Sequence, residues 1–343
     1  MKPVVRIRHV NFFPGFSDAL CRTHVLMDLT DEFEFVFEGE PDILLVNCYG
    51  QRALGETGAI KVGYYTENIA PDLTNFDYFF GCEYTHLIES PRYCKRVYGP
   101  LAVHTFNGCD DPEAALAEKT EFCNFIYSHR IGYRERFYRD LSEYRPIRAP
   151  GRSMNNCLDL AARTAEDWHT AKRAYLRKFK FTMAFENSRR AGYATEKLFD
   201  AFAADTVPIY WGDPALDEIV NKEAVVWVDG DWEHVVPWLR LRERREPRRP
   251  YQRIPTLANK AAGRFNDFVD WLRDKLPYSK GFAAALEEVR HLDNDDEAYC
   301  LKLAQPRVRR DEIQRIRENY FAFWRTIIAD ALGDRAKGGS VHS

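Results

Sequence analysis

The sequence lacks the features that would direct it to a membrane or to an oxidising compartment. It has no run of about 18 apolar residues, the length that a membrane-spanning helix needs. Its first apolar stretch, residues 4–9, is interrupted by Arg6 and Arg8, unlike a signal peptide. Its eight cysteines show no CxxC or Cys/His spacing, which predicts free and mostly buried thiols. We therefore expect the chain to stay in the cytoplasm.

The sequence also lacks an excess of charge of one sign. The formal net charge is −3, which gives the chain no general attraction for nucleic acid. The most basic run, residues 240–249, contains Glu243 and Glu246 and no aromatic residue that could stack on a base. A solvated helix end explains this run, and weak contact with an anionic membrane surface is the alternative.

What the sequence does contain is a length and a periodicity typical of two α/β domains. At 343 residues the chain is longer than one hydrophobic core usually serves. Its first hundred residues predict an open α/β sheet, with strands at 4–10, 33–37, 42–47, 60–65 and 77–80 and a helix at 18–29.

A polar stretch at residues 107–112 has the composition of a linker, and a second α/β series follows it. This series has predicted helices at 133–141, 164–178, 232–243, 257–276 and 311–331, and a strand at 224–228; Thr164 and Asp167 suggest a capping box. We predict an N-terminal domain at 1–115 and a C-terminal domain at 116–343.

The most informative segment is a βαβ unit within residues 179–212. Residues 179–185 alternate as in a buried strand, which places Glu186 and Asn187 at its carboxyl end. Thr195 can cap a helix, and residues 207–211 return as a strand. Ligands of parallel sheets bind at the carboxyl ends of strands, where helix N-termini offer free N–H groups. The loop between strand and helix is therefore a candidate ligand site.

The start of that helix suggests an anionic ligand. Lys197 lies in the first turn, where a cation opposes the helix dipole, and an anion nearby would resolve the conflict. A carboxylate and an ammonium side by side, at Glu196 and Lys197, suit a nucleotide sugar, which has hydroxyls to bind and phosphates to neutralise. The alternative is a solvated helix start with a local charge pair.

The segment resembles the donor-binding motif of the α1,3/4-fucosyltransferases, glycosyltransferase family 10. That motif reads approximately Phe-Glu-Asn-Ser, a spacer, Tyr-x-Thr-Glu-Lys, then Val-Pro-Ile/Val and an aromatic-Gly pair. Residues 185–188, 193–197 and 207–212 match it. The resemblance implies the GT-B architecture, two Rossmann-like α/β domains facing across a cleft, with the acceptor bound by the first domain and the donor by the second. The lack of an anchor helix and of disulfides favours the bacterial, soluble branch.

The resemblance also implies a general base. Residues 64–72 and 75–78 are similar to the Thr-Gly-Glu-Asn, Pro, Phe-Asp-Tyr series of the bacterial enzymes, whose base maps onto Glu67. Here Thr66 directly precedes Glu67 with no intervening glycine, so the loop conformation stays open. Asp72, more simply a turn or cap residue, and Glu83, after a strand end, are the rival carboxylates.

The same resemblance assigns the donor contacts. A departing diphosphate needs fixed cations, and the family's arginine maps onto Arg134; Arg130 and Arg136 are less favoured because helical arginines are usually solvated. For Glu186, fucose contact and a buried carboxylate that holds the loop are equally good interpretations, and Arg189 and Arg190 look like solvated loop. The full implied set of donor-binding residues is Arg134, Glu186, Asn187, Tyr193, Glu196 and Lys197.

Metal binding is not expected from the motifs. The DxD-like segments 229–231 and 293–295 are explained by a turn with an N-cap and by a polar loop. GT-B transferases generally hold the diphosphate without a metal, so no cofactor is expected and a divalent metal would at most stimulate the reaction.

These observations predict an inverting transferase that moves L-fucose from GDP-β-L-fucose to a GlcNAc or Glc hydroxyl, in an α1,3 or α1,4 linkage. N-acetyllactosamine is a suitable acceptor, lipopolysaccharide or another surface glycan a suitable product, and the cytoplasmic face of the inner membrane a suitable location. One alternative is a catalytically silent protein of the same fold that binds a nucleotide sugar or a glycan. Another is an enzyme with a different donor sugar.

Overall fold

The first half of the chain forms one parallel sheet. The computed structural model describes residues 2–50, 58–96, 107–158, 160, 168–230, 245–246, 249–253, 256–273 and 280–338. The sheet has the order β2-β1-β3-β4-β5-β6, and all of its strand pairs are parallel. Its strands are β1 (Val4–Val10), β2 (Glu34–Val36), β3 (Ile43–Val46), β4 (Ile60–Tyr64), β5 (Tyr78–Gly81) and β6 (Tyr93–Lys95).

The second half forms another parallel sheet, of order β11-β10-β9-β7-β8. Its strands are β7 (Glu121–Asn124), β8 (Ile147–Arg148), β9 (Phe179–Phe185), β10 (Val207–Trp211) and β11 (Val226–Trp227). A short antiparallel pair, β12 (Arg245–Glu246) and β13 (Arg249–Arg253), stands apart from both sheets. The predicted α/β class is confirmed.

Helices cover the faces of both sheets. The α-helices are α1 (Asp18–Cys21), α2 (Pro112–Ala117), α3 (Gly132–Tyr144), α4 (Trp168–Leu176), α5 (Glu196–Ala203), α6 (Leu257–Arg273), α7 (Lys280–Asn294), α8 (Asp296–Ala304) and α9 (Arg310–Gly338). The sequence patterns did not predict α7 and α8. The predicted helix at 232–243 and the predicted capping box at Thr164 and Asp167 lie outside the described residues.

Burial on both faces explains why the strands are continuously apolar. In the second sheet, Phe181, Met183 and Phe185 pack in one core, whereas Ala184 of the same strand packs in another. Strands buried on both sides lose the polar alternation that a half-exposed strand would keep. The βαβ unit predicted for residues 179–212 is confirmed as β9, α5 and β10, with β9 and β10 in parallel register.

The C-terminal helix α9 packs mainly on the first sheet, and only its first turns, at Ile313, reach a core of the second half. Tyr320, Trp324 and Ile327 are fully buried in the core that contains β1 and β3. The Tyr320 hydroxyl donates to the Val25 carbonyl at 2.6 Å, and the Trp324 ring stacks on Phe80 with centroids 4.9 Å apart. The chain therefore returns to its first sheet at the end, which the sequence division at residue 115 does not anticipate. The boundary itself stays a prediction.

The predicted helix at 18–29 is only partly α-helical. After α1 the chain forms a π turn at Arg22–Leu26 and a 3-10 turn at Met27–Asp31. The Thr23 hydroxyl donates back to the Ala19 carbonyl at 3.0 Å, and such back-bonding bends helices. Met27 then adopts a φ of 47°, which ends any regular helix.

Two expectations about the whole chain can be compared with the structure. The eight cysteines are free and most are buried, as their spacing predicted. Of the helices that the structure describes, none is long and apolar enough to cross a membrane.

Candidate active site

The loop after β4 carries the predicted base. Glu67 is half-buried, and its Oε1 accepts a hydrogen bond from the Tyr49 hydroxyl at 2.5 Å. No hydrogen bond reaches its Oε2 from any residue that the structure describes. A carboxylate with one oxygen held and the other available can accept a proton from a substrate hydroxyl.

The two rival carboxylates have other roles. Asp72 accepts from the backbone N–H groups of Thr74 and Asn75, both at 3.2 Å, as expected for a turn residue. Glu83 is 5% exposed, forms an ion pair with Arg190 and accepts from the Tyr93 hydroxyl at 3.2 Å. Glu83 therefore forms an ion pair with a residue of the second half and does not face solvent.

The loop after β9 carries a carboxylate of the opposite kind. Glu186 is 0% exposed, and Thr195 donates to it both its backbone N–H, at 2.7 Å, and its hydroxyl. Thr195 occupies the predicted N-cap position of α5, but its hydroxyl donates to Glu186 and accepts from no backbone N–H of the first helical turn. Of the two interpretations of Glu186, these contacts match the carboxylate that holds the loop.

Lys197 completes this buried cluster. Its ammonium donates to Glu186 Oε2 at 3.0 Å and to Thr195 Oγ1 at 2.7 Å, and Glu196 lies 3.9 Å away. Burial raises the pKa of Glu186, an effect that Lys197 opposes. Burial disfavours the charge of Lys197, but Glu186 and Glu196 outweigh it and raise the pKa of the ammonium. An ammonium has three donors, so one remains for a ligand at this helix start.

Arg134 lies at the start of α3, beside the β9 loop. Its guanidinium is 1% exposed, donates to Asn187 Oδ1 at 3.1 Å and covers the Tyr127 ring at 4.0 Å. Its Nε has no hydrogen-bond partner among the described residues. A buried arginine with a spare donor is the arrangement that a diphosphate would complete.

The less favoured arginines point elsewhere. Arg130 is 77% exposed at its side chain and pairs with Glu135 at 3.2 Å, and Arg136 lies 3.8 Å from Asp140 on its own helix. The structure thus brings Arg134, and neither of these two, to Asn187.

Tyr193 lies in the β9 loop, two residues before Thr195. Its side chain is buried, and burial raises the pKa of its phenol, helped by the carboxylates of Glu186, Glu67 and Glu196. The β4 loop and the β9 loop meet directly, because Asn68 hydrogen-bonds both Ser188 and Arg190.

Two family models match the two halves of the chain. Residues 116–236 match the family model "Glycosyltransferase family 10 (fucosyltransferase) C-term", and residues 7–97 match the "Alpha-(1,3)-fucosyltransferase FucT N-terminal domain". The two matches cover the halves that carry Arg134 and Glu67 respectively. The chain belongs to glycosyltransferase family 10.

Members of family 10 that resemble this chain include viral and bacterial proteins. A putative fucosyltransferase of Acanthamoeba polyphaga mimivirus is 28% identical over 166 residues, 46% of this chain and 26% of that protein. The α1,3-fucosyltransferase FucT of Helicobacter pylori is 30% identical over 142 residues, 41% of this chain and 27% of that protein. The matched segments thus span about a quarter of these curated relatives.

Solved family 10 structures share the fold over nearly the whole chain. A crystal structure of an α1,3-fucosyltransferase with GDP matches with a TM-score of 0.62 at 19% identity, covering 95% of this chain and 91% of that one. The same holds for a structure with GDP-fucose, with 96% of this chain covered. The likeness establishes the GT-B fold that the sequence predicted.

The loop after β9 contacts the first half of this family 10 chain. One of the residues that makes the contact has a role that the sequence did not predict. Arg190, interpreted as solvated loop, pairs with the buried Glu83 and donates to Asn68 Oδ1 at 3.2 Å. Asn68 in turn donates to the Ser188 hydroxyl. The residue next to the predicted base and the residue next to Asn187 are therefore hydrogen-bonded across the cleft.

Lys95 and Tyr84 complete this contact between the halves. The buried Lys95 ammonium donates to the carbonyls of Cys82, at 2.5 Å, and Gly192, at 2.8 Å. Gly192 has a φ of 87° and its Cα lies so close to Cys82 that a side chain would overlap it. The Tyr84 hydroxyl donates at 2.8 Å to Asp213, whose pKa burial raises.

Strand-end reasoning could have found one missed residue. Tyr49 follows β3, the neighbour of β4, so its side chain belongs to the same sheet edge as Glu67. Lys95 also lies at this edge, at the end of β6, but β6 was not predicted. Arg190 carries no comparable signal, because its partners Glu83 and Asn68 lie far away in sequence.

The metal-like motifs have structural roles where they are described. Asp229 accepts from the Trp227 indole at 2.9 Å, while Asp231 lies outside the described residues. Asp293 pairs with Arg145 at 2.9 Å, and Asp295 caps α8. Among the described residues, no group of three acidic, histidine or cysteine side chains could hold a metal ion. The side chains of the basic run at 240–249 lie outside the described set.

Proposed function

We propose that this chain is an inverting fucosyltransferase that moves L-fucose from GDP-β-L-fucose to a hydroxyl of an oligosaccharide. The observation that carries the proposal is the hydrogen bond from Asn68 to Ser188, because it joins the loop of Glu67 to the loop that carries the family's donor motif. Family membership supports the sugar, and the GT-B fold supports a reaction in the cleft.

The reaction is a single displacement. The acceptor oxygen attacks the anomeric carbon as the bond to the β-phosphate breaks, the acceptor proton passes to Glu67, and GDP leaves with the electron pair of the broken bond. The half-buried carboxylate with its available Oε2 suits this role. Inversion follows because none of the candidate residues is a nucleophile on the opposite face of the sugar.

The donor contacts that we propose follow from charge and burial. Arg134 would donate to the diphosphate through its spare Nε, and Lys197 through its third ammonium hydrogen. Glu196 would accept from the ribose hydroxyls, with Tyr193 and Asn187 beside the nucleotide. Glu186 would act on the donor indirectly, by fixing Lys197. These cations are enough to neutralise the leaving group without a metal, so a divalent ion would only stimulate.

The finer assignments are also proposals. The curated relatives include both an α1,3- and an α1,4-fucosyltransferase, so a GlcNAc or Glc hydroxyl with either linkage is a reasonable target. N-acetyllactosamine is the acceptor to try first. A lipopolysaccharide or other surface glycan, assembled at the cytoplasmic face of the inner membrane, fits the absence of a membrane-spanning helix among those described.

The test is GDP release from GDP-fucose, with and without N-acetyllactosamine, in the wild type and in Glu67→Gln. The product linkage is read by mass spectrometry and NMR, and donor affinity by calorimetry. We expect acceptor-dependent release that falls by about 10²- to 10⁴-fold in Glu67→Gln, the usual contribution of a general base, with GDP-fucose affinity unchanged.

Three other outcomes would contradict parts of the proposal. Release that survives in Glu67→Gln would remove the base from Glu67. Saturable donor binding without transfer to any member of a glycan panel would favour the catalytically silent binder. Transfer from another nucleotide sugar in preference to GDP-fucose would keep the enzyme and change its donor.

A further inference from the structure

The Tyr49 phenol links Glu67 to the residue before it. Its hydroxyl donates to Glu67 Oε1 at 2.5 Å and accepts from the Thr66 hydroxyl at 3.2 Å. The three groups form a short chain in which each hydroxyl has a partner for its proton. Because a carboxylate only accepts, the direction of the chain is fixed toward Glu67.

Tyr49 is itself held by a neighbouring loop. Its backbone N–H donates to the Asn11 carbonyl at 2.9 Å, and its ring meets Phe13 edge-on with centroids 6.2 Å apart. Asn11 has a φ of 61°, which turns the chain sharply after β1. The phenol is therefore presented to Glu67 by contacts at both its backbone and its ring.

The residue before Glu67 completes this chain of hydrogen bonds. The bacterial family 10 series has glycine there, whereas this sequence has Thr66, whose hydroxyl supplies the donor to Tyr49. A glycine would leave that lone pair of the phenol without this partner. Thr66, which departs from the family pattern, thus makes a hydrogen bond to Tyr49 that a glycine could not make.

We propose that Tyr49 is a positioning residue for the base, holding Oε1 of Glu67 so that Oε2 faces the acceptor hydroxyl. The inference rests on the proposed function. One oxygen of the carboxylate is occupied by a fixed neutral donor, so rotation about the terminal side-chain bond is restricted and the available oxygen keeps one direction. Such preorganisation raises the rate without a new contact to substrate.

The phenols and thiols around this chain of hydrogen bonds stay in one charge state near neutral pH. Burial raises the pKa of Tyr49, with the neighbouring Glu67 carboxylate adding to the effect, so the phenol keeps its proton and can only donate to the carboxylate. Burial likewise raises the pKa of the Cys48 thiol, to about 12, and of the Cys82 thiol. The Tyr193 phenol also keeps its proton.

The Arg96 guanidinium beside this hydrogen-bond chain keeps its charge as well. The Arg96 guanidinium reaches the Thr66 carbonyl at 3.5 Å, and guanidinium groups keep their proton throughout the usable pH range. The thiols, phenols and guanidinium around the base therefore do not change charge between about pH 4 and 8. Glu186 and Glu196 near Tyr193 are carboxylates that can, so a titration must identify the Glu67 signal itself.

The test is Tyr49→Phe, with Tyr65→Phe as the matched control. Tyr65 lies two residues before Glu67, packs against Phe79 at 4.8 Å, and its hydroxyl makes no hydrogen bond to a described residue. Loss of the donor destabilises the ionised carboxylate, so we expect the acid limb of the kcat/KM profile to move up by about one pH unit in Tyr49→Phe. At the pH optimum kcat should fall by about 10-fold, because the carboxylate loses its fixed orientation.

A second readout does not depend on activity. The side-chain carboxyl carbons of ¹³C-labelled glutamate are titrated by NMR, and the Glu67 signal is identified by its absence in Glu67→Gln. Its midpoint should rise in Tyr49→Phe and stay in place in Tyr65→Phe, with unfolding temperatures matched to the wild type.

The two readouts separate the failure of this inference from that of the proposed function. An unmoved midpoint and an unmoved acid limb in an active enzyme would overturn the role of Tyr49. A wild type that binds donor but transfers no sugar would overturn the proposed function and with it the catalytic meaning of the contact, whatever the NMR midpoint does. Loss of kcat in Tyr65→Phe equal to that in Tyr49→Phe would also count against Tyr49, since the effect would then come from the loop as a whole.

Discussion

Two loops of this molecule begin alike and end up chemically opposite. Each follows the carboxyl end of a central parallel strand, and each places a glutamate within a few residues of that end. Glu67, after β4, is half-buried and accepts one side-chain hydrogen bond, from a neutral phenol. Glu186, after β9, is 0% exposed and has both oxygens bonded by Thr195 and Lys197.

The difference separates a carboxylate that can accept a proton from a substrate from one that holds a neighbouring side chain in place. A base needs an oxygen that a substrate can reach, which Glu67 has and Glu186 lacks. Glu186 instead fixes the ammonium of Lys197 at the start of α5. Motif resemblance assigns the base to Glu67 but leaves Glu186 between fucose contact and a carboxylate that holds the loop. Burial together with hydrogen-bond saturation favours the second interpretation.

The largest expected effect comes from breaking the buried pair. Glu186→Ala leaves Lys197, whose side chain is 17% exposed, with only the more distant carboxylate of Glu196, at 3.9 Å, as a counter-charge. Removing one partner of a buried pair costs about 3–5 kcal/mol. We expect the free energy of unfolding, measured by urea titration, to fall by about that amount.

The same substitution at the other loop is the control. Glu67→Ala removes a half-exposed carboxylate and should change the free energy of unfolding by less than about 1 kcal/mol. The double variant Glu186→Leu with Lys197→Met removes both charges and should recover part of the loss. Equal urea midpoints for Glu186→Ala and Glu67→Ala would show that the two loops do not differ in this way.

A smaller effect is expected from separating the two loops from each other. Arg190→Ala removes the ion pair with Glu83, whose side chain is 5% exposed, and the bond to Asn68. Because Arg190 is 32% exposed at its side chain, we expect a loss of about 2 kcal/mol in the free energy of unfolding, below the range for a fully buried pair.

Arg130→Ala is the matched control for this prediction. Its side chain is 77% exposed, so loss of its pair with Glu135 should cost no more than about 0.5 kcal/mol in the same urea titration. If the two arginine variants unfold alike, Arg190 is the solvated loop residue that its sequence context suggested.

Local patterns were sufficient for most strands of the two sheets, although β6 and β8 were not predicted. Period-two alternation and apolar runs gave β1, β9 and β10 at their observed positions, because burial on a sheet imposes that spacing directly. The rule that ligands bind at carboxyl strand ends pointed to the loop after β9, and the resemblance to family 10 pointed to the loop after β4. The role of Asp72 as a turn residue was also predictable, because its carboxylate bonds backbone N–H groups only two and three residues away.

Contacts between distant segments were beyond such patterns. Arg190 meets Asn68 across 122 residues, and Tyr320 of α9 meets Val25 across 295. Nothing in the composition around these residues specifies the partner, since an arginine in a loop or an apolar helix face can pair with any suitable surface. The π turn after α1 was missed for a related reason, because its periodicity is close to that of an ordinary helix.

The smallest expected effect comes from the opposite pKa shifts of two buried lysines that contact the β9 loop. Lys95 donates only to carbonyls, so burial lowers its pKa to about 8, whereas the carboxylates beside Lys197 raise the pKa of that ammonium. Between pH 8 and the ordinary lysine value of about 10.4, the unfolded chain therefore binds more protons at Lys95 than the folded one does. The contribution of Lys95 to stability must rise with pH in this window, by up to about 1.4 kcal/mol per pH unit.

The measurement is the free energy of unfolding at pH 7.5, 8.5 and 9.5 in the wild type and in Lys95→Met. Lys119, whose pKa burial also lowers to about 8, contributes to both proteins alike, so the difference between their slopes isolates Lys95. We expect the wild type to gain about 1–2 kcal/mol relative to Lys95→Met over this range. Lys197, with its raised pKa, should add no upward slope below pH 10, because it keeps its proton in both states. Parallel curves would mean that the Lys95 ammonium is stabilised by the carbonyls of Cys82 and Gly192 as fully as Lys197 is by its carboxylates.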